Sequence, residues 1–270
     1  MLDSPLRSIV FPTDFSAESR IAFVHALRIA VAARGILHLL HIGDPGESHD
    51  WSLYPHVRET LARWGMIEAG ASEEAVGERL GVHIRKAHVK ADDPVAGILS
   101  YLALHQCDLL VLAAHAGGLK RLLAGSVSEA AARAAHAPAL LLRDGQTGFV
   151  DPDTGEMALR RILAPIAATP DAGPFWRWLS QVAPLLDPAC RMRLLHVGEA
   201  APRIDGAPAV ELRRGPVTET ILAVAEEIGA DLIAMPTRGR HGWVEALTGH
   251  ASAGVIHAAD RPVLVFPGEA

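Results

Sequence analysis

Two stretches of the chain carry the residue types that can hold an anionic ligand. Pro12-Thr13-Asp14-Phe15-Ser16 follows a short apolar run and offers hydroxyl and carboxylate groups. The stretch from Ala113 to Ser126 contains His115, Gly117 and Gly118 and closes on Gly125-Ser126, where an Ala-rich helical pattern begins. Free backbone N–H groups and the helix dipole attract phosphate at such a start, and glycine lets it approach closely. Asp14 stands where a hydroxyl or amine of a sugar or base can be received. Later in the chain the matching stretches are Pro165-Ile166-Ala167-Ala168 and Pro236 through His250. The second of these includes Thr237, Arg238, Gly239, Arg240, His241 and Gly249.

The elements that position these loops occur twice. Ser8-Ile9-Val10-Phe11-Pro12 recurs as Arg161-Ile162-Leu163-Ala164-Pro165, and Leu39-Leu40-His41-Ile42 as Leu194-Leu195-His196-Val197. Asp108-Leu109-Leu110-Val111-Leu112 recurs as Asp231-Leu232-Ile233-Ala234-Met235. Pro138-Ala139-Leu140-Leu141-Leu142 recurs as Pro262-Val263-Leu264-Val265-Phe266. Pro12 to His41 spans 29 positions and Pro165 to His196 spans 31. Shared order with matched spacing is a repeat, which decides the fold before any single motif does.

Each repeated run is short and aliphatic, as in a strand buried on both faces. Helical patterns lie between them, so the fold is α/β with a parallel sheet wound on both faces. In the first half, strands are expected over 7–11, 36–42, 82–89, 108–114 and 139–143. Helices are expected over 17–33, 55–80, 94–105 and 126–135. Ser16 or Ser19 is the expected cap of the first helix and Gly35 its stop; Asp92-Asp93-Pro94 opens the third. The domains are expected over 1–144 and 160–270, joined by a linker over 145–159 that holds Gly145, Gly148, Pro152, Gly155 and several acids. The second half is shorter. From His41 to Val82 is 41 positions, but from His196 to Val210 only 14, so the second helix of the unit is missing. Either a bare loop crosses there or the following strand is displaced or reversed. Both alternatives leave an apolar sheet face without its cover, open to a homodimer or another partner.

Composition narrows the function classes. The chain has 270 residues, and one domain per ~150 residues gives between one and two domains. Half of the residues are apolar and 21% charged, which excludes a disordered chain. The net charge of −6 argues against nucleic acid and anionic membrane as partners. Cys107 and Cys190 have no metal-ligand spacing and read as core thiols of a reducing, cytoplasmic compartment. No basic-then-apolar leader opens the chain, and no apolar run reaches the ~20 residues of a membrane span.

The quoted motifs resemble those of the universal stress protein family, with two units in one chain. The resemblance rests on Ile9 through Ser16, Leu39 through Ile42, Asp108 through Ala139, Asp231 through Gly239 and Arg261 through Phe266. It implies two five-stranded sheets of order 3-2-1-4-5 that join through their fifth strands as an intrachain pseudo-dimer, the second unit lacking its second helix. It also implies, in members that bind ATP, an Asp after the first strand and a Gly-x2-Gly-x9-Gly-Ser/Thr motif after the fourth. On that basis Pro12, Thr13, Asp14, His41, Ile42, Ala113, His115, Gly117, Gly118, Gly125, Ser126 and Val127 form the adenine-nucleotide site of the first half, with Mg accompanying the nucleotide. Thr237, Arg238, Gly239, Gly249 and His250 are its counterparts in the second. This chain departs from the pattern: Ala113 and Ala116 stand at or near the leading glycines of the first half. In the second half Pro236, His250 and Ala167 replace the first glycine, the Ser and the Asp. Two readings follow, a stress-response protein that binds nucleotide in its first half, or a nucleotide-free interaction protein of the same fold. No nucleophile–base pair marks an enzyme. The 14 histidines form no ligand cluster, and the aromatic residues from Trp51 to Trp64 read as core or interface.

Overall fold

A computed structural model describes residues 4–43, 56–114, 131, 135–143, 145–169, 171–237 and 251–268. Strand β1 (Ser8–Pro12) leads through a 3₁₀ turn (Ala17–Ser19) into α1 (Arg20–Ala33), and β2 (Ile36–Ile42) follows. Neither Ser16 nor Ser19 caps α1 through its side chain. The Ser16 hydroxyl bonds Asp14 instead, and the Ser19 hydroxyl donates to Ser16 O. The stop also differs from expectation. Arg34 takes the left-handed conformation (φ +51°), and Gly35 is required for close approach: a Cβ there would lie 2.7 Å from the Arg7 carbonyl oxygen.

The single helix expected over 55–80 is two, α2 (Val57–Arg63) and α3 (Glu73–Leu80). Gly65 and Gly70 both adopt positive φ between them, a conformation no helix continues through. Ser72 then restarts the helix by accepting from Ala75 N–H at 3.2 Å. Strand β3 (His83–Val89), α4 (Pro94–Leu104), β4 (Leu109–Ala114) and β5 (Ala139–Arg143) complete the unit. Asp93 caps α4 on Val95 N–H, with Pro94 in the first turn. The helix expected over 126–135 lies almost wholly outside the described residues.

The second half runs β6 (Arg161–Pro165), α5 (Gly173–Leu186), β7 (Arg191–Val197), β8 (Glu211–Arg213), α6 (Val217–Glu227), β9 (Leu232–Thr237), α7 (Ala251–Ala258) and β10 (Val263–Pro267). All ten strands form one sheet, β3-β2-β1-β4-β5-β10-β9-β6-β7-β8. Each half therefore has the order 3-2-1-4-5. Strands β5 and β10 pair antiparallel, with Leu140 opposite Leu264, while the other neighbours are parallel. This is the pseudo-dimer through the fifth strands.

Residues 198–210 carry no helix, and β8 pairs parallel to β7, so a loop makes the crossover. The expectation of an uncovered sheet face needs correction. Ile204, Ala207 and Val210 of that loop pack on the core, and Trp176 Nε1–H donates to Gly206 O at 3.2 Å. Leu212 of β8 is the large apolar side chain left exposed beside the loop, at 41%. On this face α1 and α5 belong to one apolar layer that spans both halves. The other face is covered by α4, α6 and α7.

The repeat extends to single hydrogen bonds. One carboxylate oxygen of Asp108 accepts from Arg7 N–H and Ser8 N–H at 2.8 and 2.9 Å. Asp231 accepts from Arg160 and Arg161 N–H, both at 2.7 Å. Each Asp thus locks the start of a first strand to the start of a fourth.

Both cysteines are free and half-buried. Burial, aided by the charges of Asp108 and of Asp187 with Asp231, pushes each thiol up to about 12. Alkylation at pH 7.5 is expected to run at least about tenfold slower than for an unhindered thiol and to accelerate in denaturant. Rapid labelling of the native chain would contradict this account.

Candidate functional site

Strands β1 and β4 are hydrogen-bonded only as far as Val10 opposite Leu110, and β6 and β9 only as far as Leu163 opposite Ile233. Beyond those pairs the strands part, because the winding direction reverses there. In open α/β sheets the crevice beyond the strand ends at this reversal is where ligands bind. The loop after β1 forms one lip of it in each half.

In the first half five hydrogen bonds build this loop, three within it and two to β2. Thr13 N–H donates to Leu40 O at 2.8 Å, and the Thr13 hydroxyl accepts from Phe15 N–H at 3.0 Å. Asp14 is exposed, and one of its carboxylate oxygens accepts from the Ser16 N–H and hydroxyl at 3.0 and 2.6 Å. His41 is buried on β2 and bonds Thr13 O through Nδ1 at 2.8 Å. A carbonyl only accepts, so the proton sits on Nδ1. Phe15 has φ +60°, a costly conformation for a bulky residue, and its ring lies 4.5 Å from the His41 ring. The turn thereby presents the Asp14 carboxylate outward while Phe15 and His41 brace it from below.

Of the other expected residues, Pro12 ends β1, and Ile42 packs its side chain toward Gly97 of α4. Ala113 lies near the end of β4. His115, Ala116, Gly117, Gly118, Gly125, Ser126 and Val127 lie outside the described residues. The structure therefore brings Pro12, Thr13, Asp14, His41 and Ala113 to one end of the sheet.

The second half repeats the scaffold without its carboxylate. Ile166 N–H donates to Leu195 O at 2.8 Å, and His196 Nδ1–H to Ile166 O at 2.9 Å. Ala167 and Ala168 follow, where the first half has Asp14 and Phe15. Thr237 is buried, and its hydroxyl donates within the sheet to Phe266 O at 3.2 Å. Arg238, Gly239, Gly249 and His250 lie outside the described residues. Sequence reasoning assigned no role to Phe15, whose strained backbone has no signature in composition. The recurrence of Asp108 and Asp231 at matched positions in the repeat is the sequence signal for their shared role. Among the described residues no three His, Cys, Asp or Glu side chains gather as for a metal ion. No helix among them is long and apolar enough to cross a membrane.

The model of the universal stress protein family matches residues 5–143 and 192–267. The chain belongs to the universal stress protein family. Family matching resumes at β7, yet β6 and α5 occupy the places of β1 and α1, so geometry extends the second unit beyond the stretch its sequence matches. A universal stress protein of Methanocaldococcus jannaschii is 30% identical over 145 residues, covering 51% of this chain and 82% of that protein. The crystal structure of a universal stress protein from Archaeoglobus fulgidus has a TM-score of 0.64 at 19% identity, covering 98% of this chain and 97% of that one. A putative universal stress protein from Pseudomonas aeruginosa has a TM-score of 0.61 at 18% identity, covering 97% and 94%. At these identities the two structures speak for the fold.

Proposed function

We propose that this universal stress protein binds an adenine nucleotide in its first half and acts as a nucleotide-responsive protein of the cytoplasmic stress response. The observation that carries the reading is Asp14: an exposed carboxylate, oriented by Ser16, at the lip of the crevice where β1 and β4 part. Such a group fits the hydroxyls of a ribose or the amine of a base. Gly125 and Ser126 are the residues proposed to hold the phosphates, with Mg arriving as the nucleotide's own counter-ion. The second half has Ala167 in place of the carboxylate, and its Thr237 hydroxyl is committed to Phe266 O, which favours a single site. The alternative, a nucleotide-free interaction protein, rests on the departures of both halves from the nucleotide motif; its second ground, a bare sheet face, is weakened by Ile204, Ala207 and Val210 of the loop, which pack on the core.

The test is nucleotide release from the purified chain, followed by titration calorimetry with Mg-ATP. Binding with one nucleotide per chain, weakened tenfold or more by Asp14→Ala, is the expected result, corresponding to loss of ~1.4 kcal/mol or more. Absence of both released nucleotide and a binding signal would overturn the proposal.

A further inference from the structure

Residues 148–158, between β5 and β6, fold back onto the first half as a hairpin. Val150 and Met157 form a β-bridge, and Ala158 N–H donates to Phe149 O at 2.8 Å. The hairpin is held at two places. At its tip, Trp64 Nε1–H donates to Pro152 O at 3.1 Å, Arg28 Nε–H donates to Gly155 O at 2.9 Å, and Asp153 meets Arg20 and Arg63 at 3.3 and 3.6 Å. At its base Phe149, Val150 and Met157 pack into the core beside α1, and the polar fastening is one imidazole, His25 of α1, fully buried.

The two bonds of His25 specify its protonation state. Nδ1 faces Ile21 O at 2.7 Å, and Nε2 faces Val150 N–H at 3.1 Å. The carbonyl can only accept and the amide only donate, so Nδ1 carries the proton and Nε2 must be bare. A second proton would set Nε2–H against Val150 N–H. The ring has no room to turn away. The Phe149 ring abuts it edge-on at 4.6 Å, and a Cβ on Gly148 would fall 2.1 Å from His25 Cε1. The charged groups of the packed elements are Arg20 and Arg28 of α1, Arg58, Glu59 and Arg63 of α2, and Asp151, Asp153 and Glu156 of the hairpin; Arg58 bonds Ala71 O and Glu59 meets His56. Arg20 and Arg63 both pair with Asp153, Arg28 reaches Gly155 O, and the Asp151 carboxylate accepts from Asp153 and Thr154 N–H. Among the described residues no carboxylate bonds the imidazole to offset a positive charge.

We propose that residues 148–158 are a proton-released clasp: protonation of His25 detaches the hairpin from α1 and α2 while the ten-stranded sheet stays formed. Phe149 and Val150, now buried, and the α1 surface beneath them then become exposed. The same hairpin joins the two halves, so its release loosens their connection outside the β5–β10 seam. Burial holds His25 down at about 4 in the closed form, against 6.5 when solvated. Proton linkage then raises the open fraction about 30-fold between pH 7.5 and pH 5.0.

Amide hydrogen exchange on the full chain at both pH values, corrected for intrinsic rates, tests this. The expected result is loss of protection across 148–158 at pH 5.0 while β1 and β6 remain protected. In His25→Gln, whose amide oxygen can accept from Val150 and does not titrate, the pH dependence of the hairpin is expected to vanish. Gly148→Ala, which changes no titratable group, is expected to open the hairpin at pH 7.5. Unchanged protection in the wild-type chain, loss in step with the strands, or pH dependence retained in His25→Gln would each overturn the proposal.

Discussion

Asp108→Ala is expected to lower the unfolding free energy by about 2 kcal/mol, and Asp231→Ala by a similar amount. Each carboxylate oxygen accepts from two consecutive backbone N–H groups at the start of β1 or β6. Charge-assisted bonds of this kind are worth more than neutral ones, and alanine leaves both donors without their acceptor. Partial exposure lets water recover some of the loss, which keeps the figure near the lower end of the range for two such bonds. Because the two sites lie in different halves, the double variant should lose the sum of the single losses. Urea denaturation at pH 7.5 measures all three. A loss under ~0.5 kcal/mol in either single variant would remove the locking role assigned here.

Acidification is expected to destabilise the whole chain between pH 6.5 and about 4. Burial lowers His25 to about 4, and His38 is lowered to about 4 by burial and then by the charges of Arg85 and His105. His38 Nε2–H donates to the Ser8 hydroxyl, which itself donates to Gln106 O, and its Nδ1 faces the Tyr101 hydroxyl; burial is what holds the ring neutral. The unfolded chain binds these protons at 6.5 and the folded chain does not. The stability they represent is therefore fully present above pH 6.5 and is lost as pH falls towards 4. Each histidine costs ~1.4 kcal/mol per pH unit within that window. Asp151 and Asp260, held below the usual carboxylate range by Thr154 and Arg261, lose their contributions only at lower pH. Denaturation midpoints at pH 7.0 and 5.0 check this, with His25→Gln and His38→Gln each expected to flatten the slope. A stability independent of pH over this interval would contradict both assignments.

The architecture was legible because its strands are continuous aliphatic runs that occur twice at the same spacing, and such runs admit few alternatives. The break after α2 was hidden because Gly65 and Gly70 lie inside an otherwise helical pattern. Residues 145–159 read as a linker from Gly145, Gly148, Pro152 and Gly155. Yet Phe149, Val150, Met157 and Leu159 are buried, and four apolar residues in so short a stretch were the sign that it packs. The place of the candidate site followed from the winding rule, and Asp14 from its position after β1. The Phe15 conformation and the His25 latch depend on contacts between distant segments, which no local pattern encodes.

The antiparallel β5–β10 seam joins two copies of one unit within a single chain. Between separate subunits such a seam would be self-complementary, and any change would appear on both sides at once. Its strength would also fall with dilution. Here Leu140 and Leu264 meet at any protein concentration, because their encounter is intramolecular. Each half is also free to diverge alone. One half carries a carboxylate at its crevice and helices between its second and third strands, while the other carries alanine and a loop at the matching places. The two unlike halves are thus held in fixed one-to-one proportion by the chain itself.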